Sequence, residues 1–337
     1  MTRLLEVDDL SIEFPTRSGV LRAADGVSLH IDEGETVGLV GESGCGKSVT
    51  AISLLRLVPQ PGRIVSGRIL YKGVDLMGLA EREMRRYRGR EIAFIFQEPM
   101  SALNPVFTVG YQIAEGLIVH GIMKKKKALA EAVRLMDLVR IPDAAQRVRD
   151  YPHQMSGGMR QRVMIAMALA CRPSLLIADE PTTALDVTIQ AEILDLLRRL
   201  KKEFNLSLLL ISHNLGVIAE MVNRVAVMYA GKIVEESPVH DLFADPRHPY
   251  TAGLLRSVPR LGEGTERVDG RRSRLVAIDG NVPDLAALPA GCAFHPRCPD
   301  VLAACREQAP RLLPLGDENA SRRVSCFLHH GPDGKPT

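Results

Sequence analysis

Residues 36–48 read TVGLVGESGCGKS, and the fold turns on this stretch. TVGLV (36–40) is a short apolar, partly β-branched run of the kind that forms a buried strand. GESGCGKS (41–48) satisfies G-x-x-x-x-G-K-[ST], and VTAISLLRLV (49–58) predicts an amphipathic helix stopped by Pro59 and Pro61. A strand before and a helix after are the context that this phosphate-binding pattern requires. Gly41, Gly44 and Gly46 let the backbone wrap so that successive N–H groups, those of Ser43 and Cys45 among them, face phosphate oxygens. The helix adds the positive end of its dipole. Lys47 would reach the β- and γ-phosphates, and the Ser48 hydroxyl would hold Mg²⁺. Cys45 has a steric part in the loop. Its nearness to amide donors predicts an alkylation-prone thiol that ATP would protect.

Working outward, EIAFIF (91–96), SLLIAD (174–179), SLLLIS (207–212) and RVAVMYA (224–230) predict further buried strands. Alternation of these with helical stretches implies an α/β core. LLIADE (175–180) ends in two carboxylates: Asp179 suits a Mg²⁺ shell, and Glu180 suits a general base that polarises attacking water. His213 and Gln97 each follow a predicted strand, at the ends where ligands of open α/β sheets gather. From about residue 100 to 170 the pattern is helical, as for an insertion in the core. From Arg256 the texture turns to proline, glycine and arginine, which places a boundary near 255 and divides the chain into 1–255 and 256–337.

Composition narrows the function. The 337 residues can bury a real core without staples. A net charge of +3 argues for neither nucleic acid nor anionic lipid as partner. No apolar run approaches the roughly 20 residues of a membrane span, and acidic residues stand where a signal peptide would be apolar. A cytosolic protein, or one on a cytosolic surface, is expected. KKKK (124–127) reads as a solvated helix face. Four of six cysteines, Cys292, Cys298, Cys305 and Cys326, crowd the last 46 residues, which points to a metal or cluster site. Four thiolates suit zinc or a [4Fe–4S] cluster, and unligated thiols stay open; the C-x₂₋₄-C knuckles usual in zinc ribbons are absent.

MSGGMRQRV (155–163) resembles the signature of ABC-transporter ATPases. TTALD (182–186) resembles their D-loop, FQEP (96–99) their Q-loop, and His213 their switch histidine. Met159 and Met155 depart from the usual glutamine and leucine. The resemblance covers about residues 1–255 and implies a P-loop NTPase core of the ABC nucleotide-binding type, with an α-helical subdomain. It implies catalytic roles for Glu180, His213 and Gln97, with Gln97 also near Mg²⁺ and linking the γ-phosphate to a groove for the permease. Phe14 would stack on adenine. Ser156, an N-cap followed by Gly157 and Gly158, offers a second anion site at a helix start. One chain would thus carry two half-sites, closed by head-to-tail pairing of two ATPase subunits.

GESGCGKSVTAISLLRL, FQEPMSALNPVFTVG, DEPTTALDVTIQ, HPYTAGLL (248–255) and the cysteine tail are similar to subunits that drive dipeptide and oligopeptide import. Nickel, glycopeptide and opine importers share these features, so the cargo stays open. The resemblance implies a paralogous second ATPase subunit in a heterodimer, two membrane permeases and an extracytoplasmic peptide-binding protein. It also implies a peripheral place on the cytoplasmic face of the inner membrane. Of the choices for the tail, it favours a [4Fe–4S] cluster in a small cysteine-rich C-terminal domain, with His295 and Arg297 offsetting cluster charge.

Overall fold

The computed structural model describes residues 2–17, 19–98, 102–183, 185–257, 278–316 and 321–335. Pro99 of the expected Q-loop and Ala184 of the expected D-loop lie outside them, as does 258–277, just beyond the expected boundary.

Two sheets form among the described residues. The first is antiparallel: β1 (Arg3–Thr16) lies between β2 (Gly19–Asp32) and β4 (Arg63–Tyr71), with the short β5 (Val74–Asp75) beyond. The second is mixed. β3 (Thr36–Val40) runs parallel to β8 (Ser207–Ile211) and β9 (Arg224–Tyr229), followed outward by β7 (Leu175–Asp179) and β6 (Ile92–Ile95). β10 (Lys232–Pro238), β12 (Arg323–Val324) and β11 (Leu313–Pro314) extend the other edge antiparallel.

Every residue of β3, β7, β8 and β9 is buried, because both faces of these central strands are covered. The strand period of two then sorts the side chains. Leu175, Ile177, Leu209 and Ile211 face the antiparallel sheet, while Leu176, Ala178, Leu208 and Leu210 face the helices. Each such leucine or isoleucine contributes about 1.5–3 kcal/mol through burial.

The helices are α1 (Lys47–Ser53), α2 (Glu81–Tyr87), α3 (Val109–Val119), α4 (Lys125–Leu138), α5 (Ala144–Arg147), α6 (Gly157–Leu169), α7 (Val187–Phe204), α8 (Leu215–Met221), α9 (Val239–Ala244), α10 (Pro249–Arg256) and α11 (Ala304–Glu307). Residues 109–169 are predominantly helical, as expected. α7 buries Ile193, Leu196, Leu197 and Leu200 along one stripe; the Asp186 carboxylate caps its start and Asn205, in the left-handed region, closes its end. α1 is shorter than its amphipathic run: it ends at Ser53, and Arg56 turns left-handed (φ 53°) to donate to the Leu76 and Leu79 carbonyls.

The cysteine-rich tail does not stand apart as a small domain. β12 pairs with β10 in the main sheet, and Phe294 is buried in the main core, with Cys292 and Cys298 packed against it. Apolar side chains are too sparse here for a separate core, so the segment shares the one already present. A buried network fastens it: Glu236 binds both Arg224 and Arg323.

Candidate functional site

The cleft is built at the C-terminal ends of the parallel strands. Its first wall is the loop between β3 and α1. Gly41 has φ +153° and Gly46, the N-cap of α1, has φ +105°; a Cβ at either would strike a main-chain carbonyl, of Met228 and of Ala23 respectively. Only glycine fits both positions. The Lys47 ammonium curls back to the carbonyls of Gly41 (2.8 Å) and Glu42 (2.9 Å). Ser43, Gly44, Gly46, Lys47, Ser48, Val49, Gln97 and Glu180 line a cleft of about 160 Å³.

The floor comes from the end of β7. The Ser48 hydroxyl hydrogen-bonds the Asp179 carboxylate, and Asp179 Oδ1 is buried with no partner. Burial raises Asp179 above its ordinary value and Glu180 adds to this, against the opposing pull of Ser48 and Lys47. The Ser48 hydroxyl, which lines the cleft, and the buried, partnerless Asp179 oxygen behind it are hard oxygen donors of the kind that fit Mg²⁺.

Glu180 follows with φ 47°. Its Oε2 accepts from Gln97 Nε2 (3.0 Å) and Thr183 Oγ1 (2.8 Å), and its Oε1 lies 3.0 Å from His213 Nδ1. Burial pushes Glu180 upward, but the hydrogen bonds from Thr183 and His213, with the charges of His213 and Lys47, hold it below the ordinary value. Gln97 enters from the end of β6, and His213 precedes Asn214, the N-cap of α8. Residues 83 and 33 positions distant thus converge on one carboxylate. Thr183 was not singled out in the sequence; its place three residues after Glu180 was the available signal.

Other expected residues lie elsewhere. Ser156 caps α6, its hydroxyl accepting from Met159 N at 3.3 Å, but Ser156, Gly157 and Gly158 do not line the cleft. Nor does Phe14, which packs against Gly62 and the inter-sheet core. Cys45 is 1% exposed, with its thiol pushed up by burial. The expectation of a reactive, alkylation-prone thiol is therefore corrected: amide donors nearby do not offset the loss of solvent.

The tail's thiols are close enough to perturb one another. Burial pushes Cys326 up to about 12, and Cys292, Cys298 and Cys305 add to the rise. Their chemistry suits a soft metal or cluster. Yet among the described residues no three His, Cys, Asp or Glu side chains converge as a metal-holding group, so the arrangement as placed does not support an iron–sulfur cluster. Arg297 is not arranged to offset cluster charge either; it binds Glu42 of the phosphate loop.

No helix among the described residues is long and apolar enough to cross a membrane. Residues 24–183 match the ABC transporter family model, and residues 234–305 match the C-terminal region of oligopeptide/dipeptide transporters. The oligopeptide transport ATP-binding protein AppD of Bacillus subtilis is 50% identical over 330 residues, covering 98% of each chain. The dipeptide transport ATP-binding protein DppD of the same organism is 49% identical over 329 residues, 97% of this chain and 95% of its own. Among solved structures, the ATP-binding cassette MJ0796, a dimer in a post-hydrolysis state bound to ADP and Pi, superposes with a TM-score of 0.63 at 26% identity, over 70% of this chain and 99% of that one. Sequence likeness along nearly the whole length and a phosphate cleft at the sheet's C-terminal edge agree, and the chain belongs to the ATP-binding subunits of ABC transporters, in the oligopeptide/dipeptide branch.

Proposed function

We propose that this chain is the ATP-hydrolysing subunit of an importer of dipeptides or oligopeptides. The observation that carries the reading is a cleft lined by Lys47, Ser48, Gln97 and Glu180, with Asp179 bonded to Ser48 behind it and Thr183 and His213 on the Glu180 carboxylate. The loop amides and Lys47 bind the β- and γ-phosphates. Ser48 and Asp179, with Gln97, would hold Mg²⁺, which would supply positive charge against the phosphates. Glu180 orients a water and takes its proton as the water oxygen attacks the γ-phosphorus and the bond to the β-phosphate oxygen breaks. Gln97 and His213, already on Glu180, aim it toward the γ-phosphate, and Phe14 supports the adenine.

Ser156, Gly157 and Gly158 serve the nucleotide of a second, paralogous ATPase subunit, and that subunit's signature serves this one. Two permeases in the membrane receive the pair on its cytoplasmic face, and an extracytoplasmic binding protein supplies the peptide. Cargo selection belongs to those partners. The four tail cysteines match a [4Fe–4S] cluster in number, but among the described residues they do not converge on one, and no cluster enters this reading; iron and acid-labile sulfide in anaerobically purified protein would overturn that.

Glu180→Gln tests the core of the proposal. Phosphate release by the assembled transporter should fall by about 10²-fold or more while ATP binding is retained. Turnover at the wild-type rate would remove Glu180 from the role of base.

A further inference from the structure

The phosphate loop is gripped from outside by the cysteine-bearing segment. Arg297, beside Cys298, places Nη1 2.7 Å and Nη2 3.0 Å from the two carboxylate oxygens of Glu42, across 255 residues of sequence. Its side chain is 5% exposed and that of Glu42 23%. The rest of the guanidinium is also committed: Nε donates to the Asp279 carbonyl at 3.0 Å, and the group lies over the Tyr229 ring. Glu42 is held at its backbone as well, its N–H donating to the Tyr250 hydroxyl at 2.9 Å. The same residue's carbonyl accepts from the Lys47 ammonium.

We propose that Arg297 is a positioning residue for ATP, acting through Glu42 to hold the phosphate loop and Lys47 in their binding shape. This rests on the reading of 41–48 as the ATP site. A planar bidentate pair fixes direction as well as distance, which a lysine at the same place would not. Freed of Arg297, the Glu42 peptide can turn, and the anchor of the Lys47 ammonium turns with it. Affinity for ATP thereby depends on the seating of the tail, although no tail residue lines the phosphate cleft.

A structural staple and a positioning residue part company in the kinetics. ATP titrations of ATPase activity in the purified, assembled transporter would compare wild type with Arg297→Ala, Arg297→Lys, Glu42→Gln and the Arg297→Ala/Glu42→Gln double variant. Arg297→Ala should raise KM for ATP about tenfold with kcat within about twofold, and Arg297→Lys should recover part of the loss. The double variant should be no worse than the poorer single one, because both break one contact. Unchanged KM in both Arg297→Ala and Glu42→Gln, a loss confined to kcat, or fully additive penalties would overturn the proposal. If Arg297→Ala does not fold, Glu42→Gln breaks the same contact from the other side, and its KM decides the matter. Absence of turnover in the wild type would overturn the ATPase reading itself, a result distinct from all of these.

Discussion

Gly46 and Gly44 sit two residues apart in the phosphate loop and differ in what a methyl group would meet. Both have positive φ, but a Cβ on Gly46 would strike the Ala23 carbonyl, whereas one on Gly44 would have no heavy atom within 4 Å. Gly44→Ala should therefore cost only the left-handed backbone penalty, about 1–2 kcal/mol. Gly46→Ala should cost clearly more and displace the start of α1, visible as a larger drop in Tm together with loss of ATP binding. Cys45 sits between them, buried beneath the loop with its thiol raised by desolvation. Native protein treated with a maleimide should show no adduct at Cys45 by mass spectrometry, with or without ATP, and should acquire one only in denaturant. Nucleotide-dependent labelling in the native state would return Cys45 to the reactive class.

At the scale of elements, helix starts carry much of the chemistry. The N-cap of α10 is His248, whose Nδ1 accepts from Tyr250 N at 3.0 Å and whose own backbone N–H donates to Glu235. Full burial, with His329 nearby, lowers His248 to about 3, so the ring is neutral in the folded protein. The unfolded chain binds a proton near pH 6.5 and the folded one does not until about 3; stability is thus intact above 6.5 and declines as pH falls through that window. Between pH 7 and 5 this one ring should remove about 2 kcal/mol of stability. His248→Asn, which can still cap the helix, should flatten that part of the pH profile in denaturant melts; an unchanged slope would exclude His248 as the source. Elements differed in how plainly the sequence announced them. β3, β7, β8 and β9 read directly because strands covered on both faces are unbroken apolar runs. The antiparallel sheet did not, since bulges between Val7 and Leu10 and again before Glu13 break the period of two along β1. Lys47, Ser48, Asp179 and Glu180 were legible because each lies in a short local motif. Arg297 on Glu42 was not, because no local pattern marks a pair 255 residues apart.

Over the whole molecule, two phosphate-ready features do not meet. The cleft holds Lys47 and Glu180, while the start of α6 points its capped N-terminus elsewhere, and the ABC cassette that superposes on this chain was solved as a dimer. The two glycines after Ser156 separate folding from pairing. Gly158 has an internal reason to be glycine, as a Cβ would come within 2.9 Å of Ile189 Cγ2 on α7. Gly157 has none: its Cβ would rest in ordinary contact, 3.8 Å from Leu185. Gly157→Asp should leave the isolated chain folded, since a carboxylate at the first turn of a helix gains about 0.3–1 kcal/mol from the dipole. ATP binding to the isolated chain should also persist, because residue 157 does not line its own cleft. In the proposed head-to-tail pair the same carboxylate would face the γ-phosphate held by the partner subunit, and like charges should reduce ATPase activity of the assembled transporter at least about tenfold. Unimpaired turnover with that aspartate in place would mean that the start of α6 meets no nucleotide, and that each chain completes its own reaction centre.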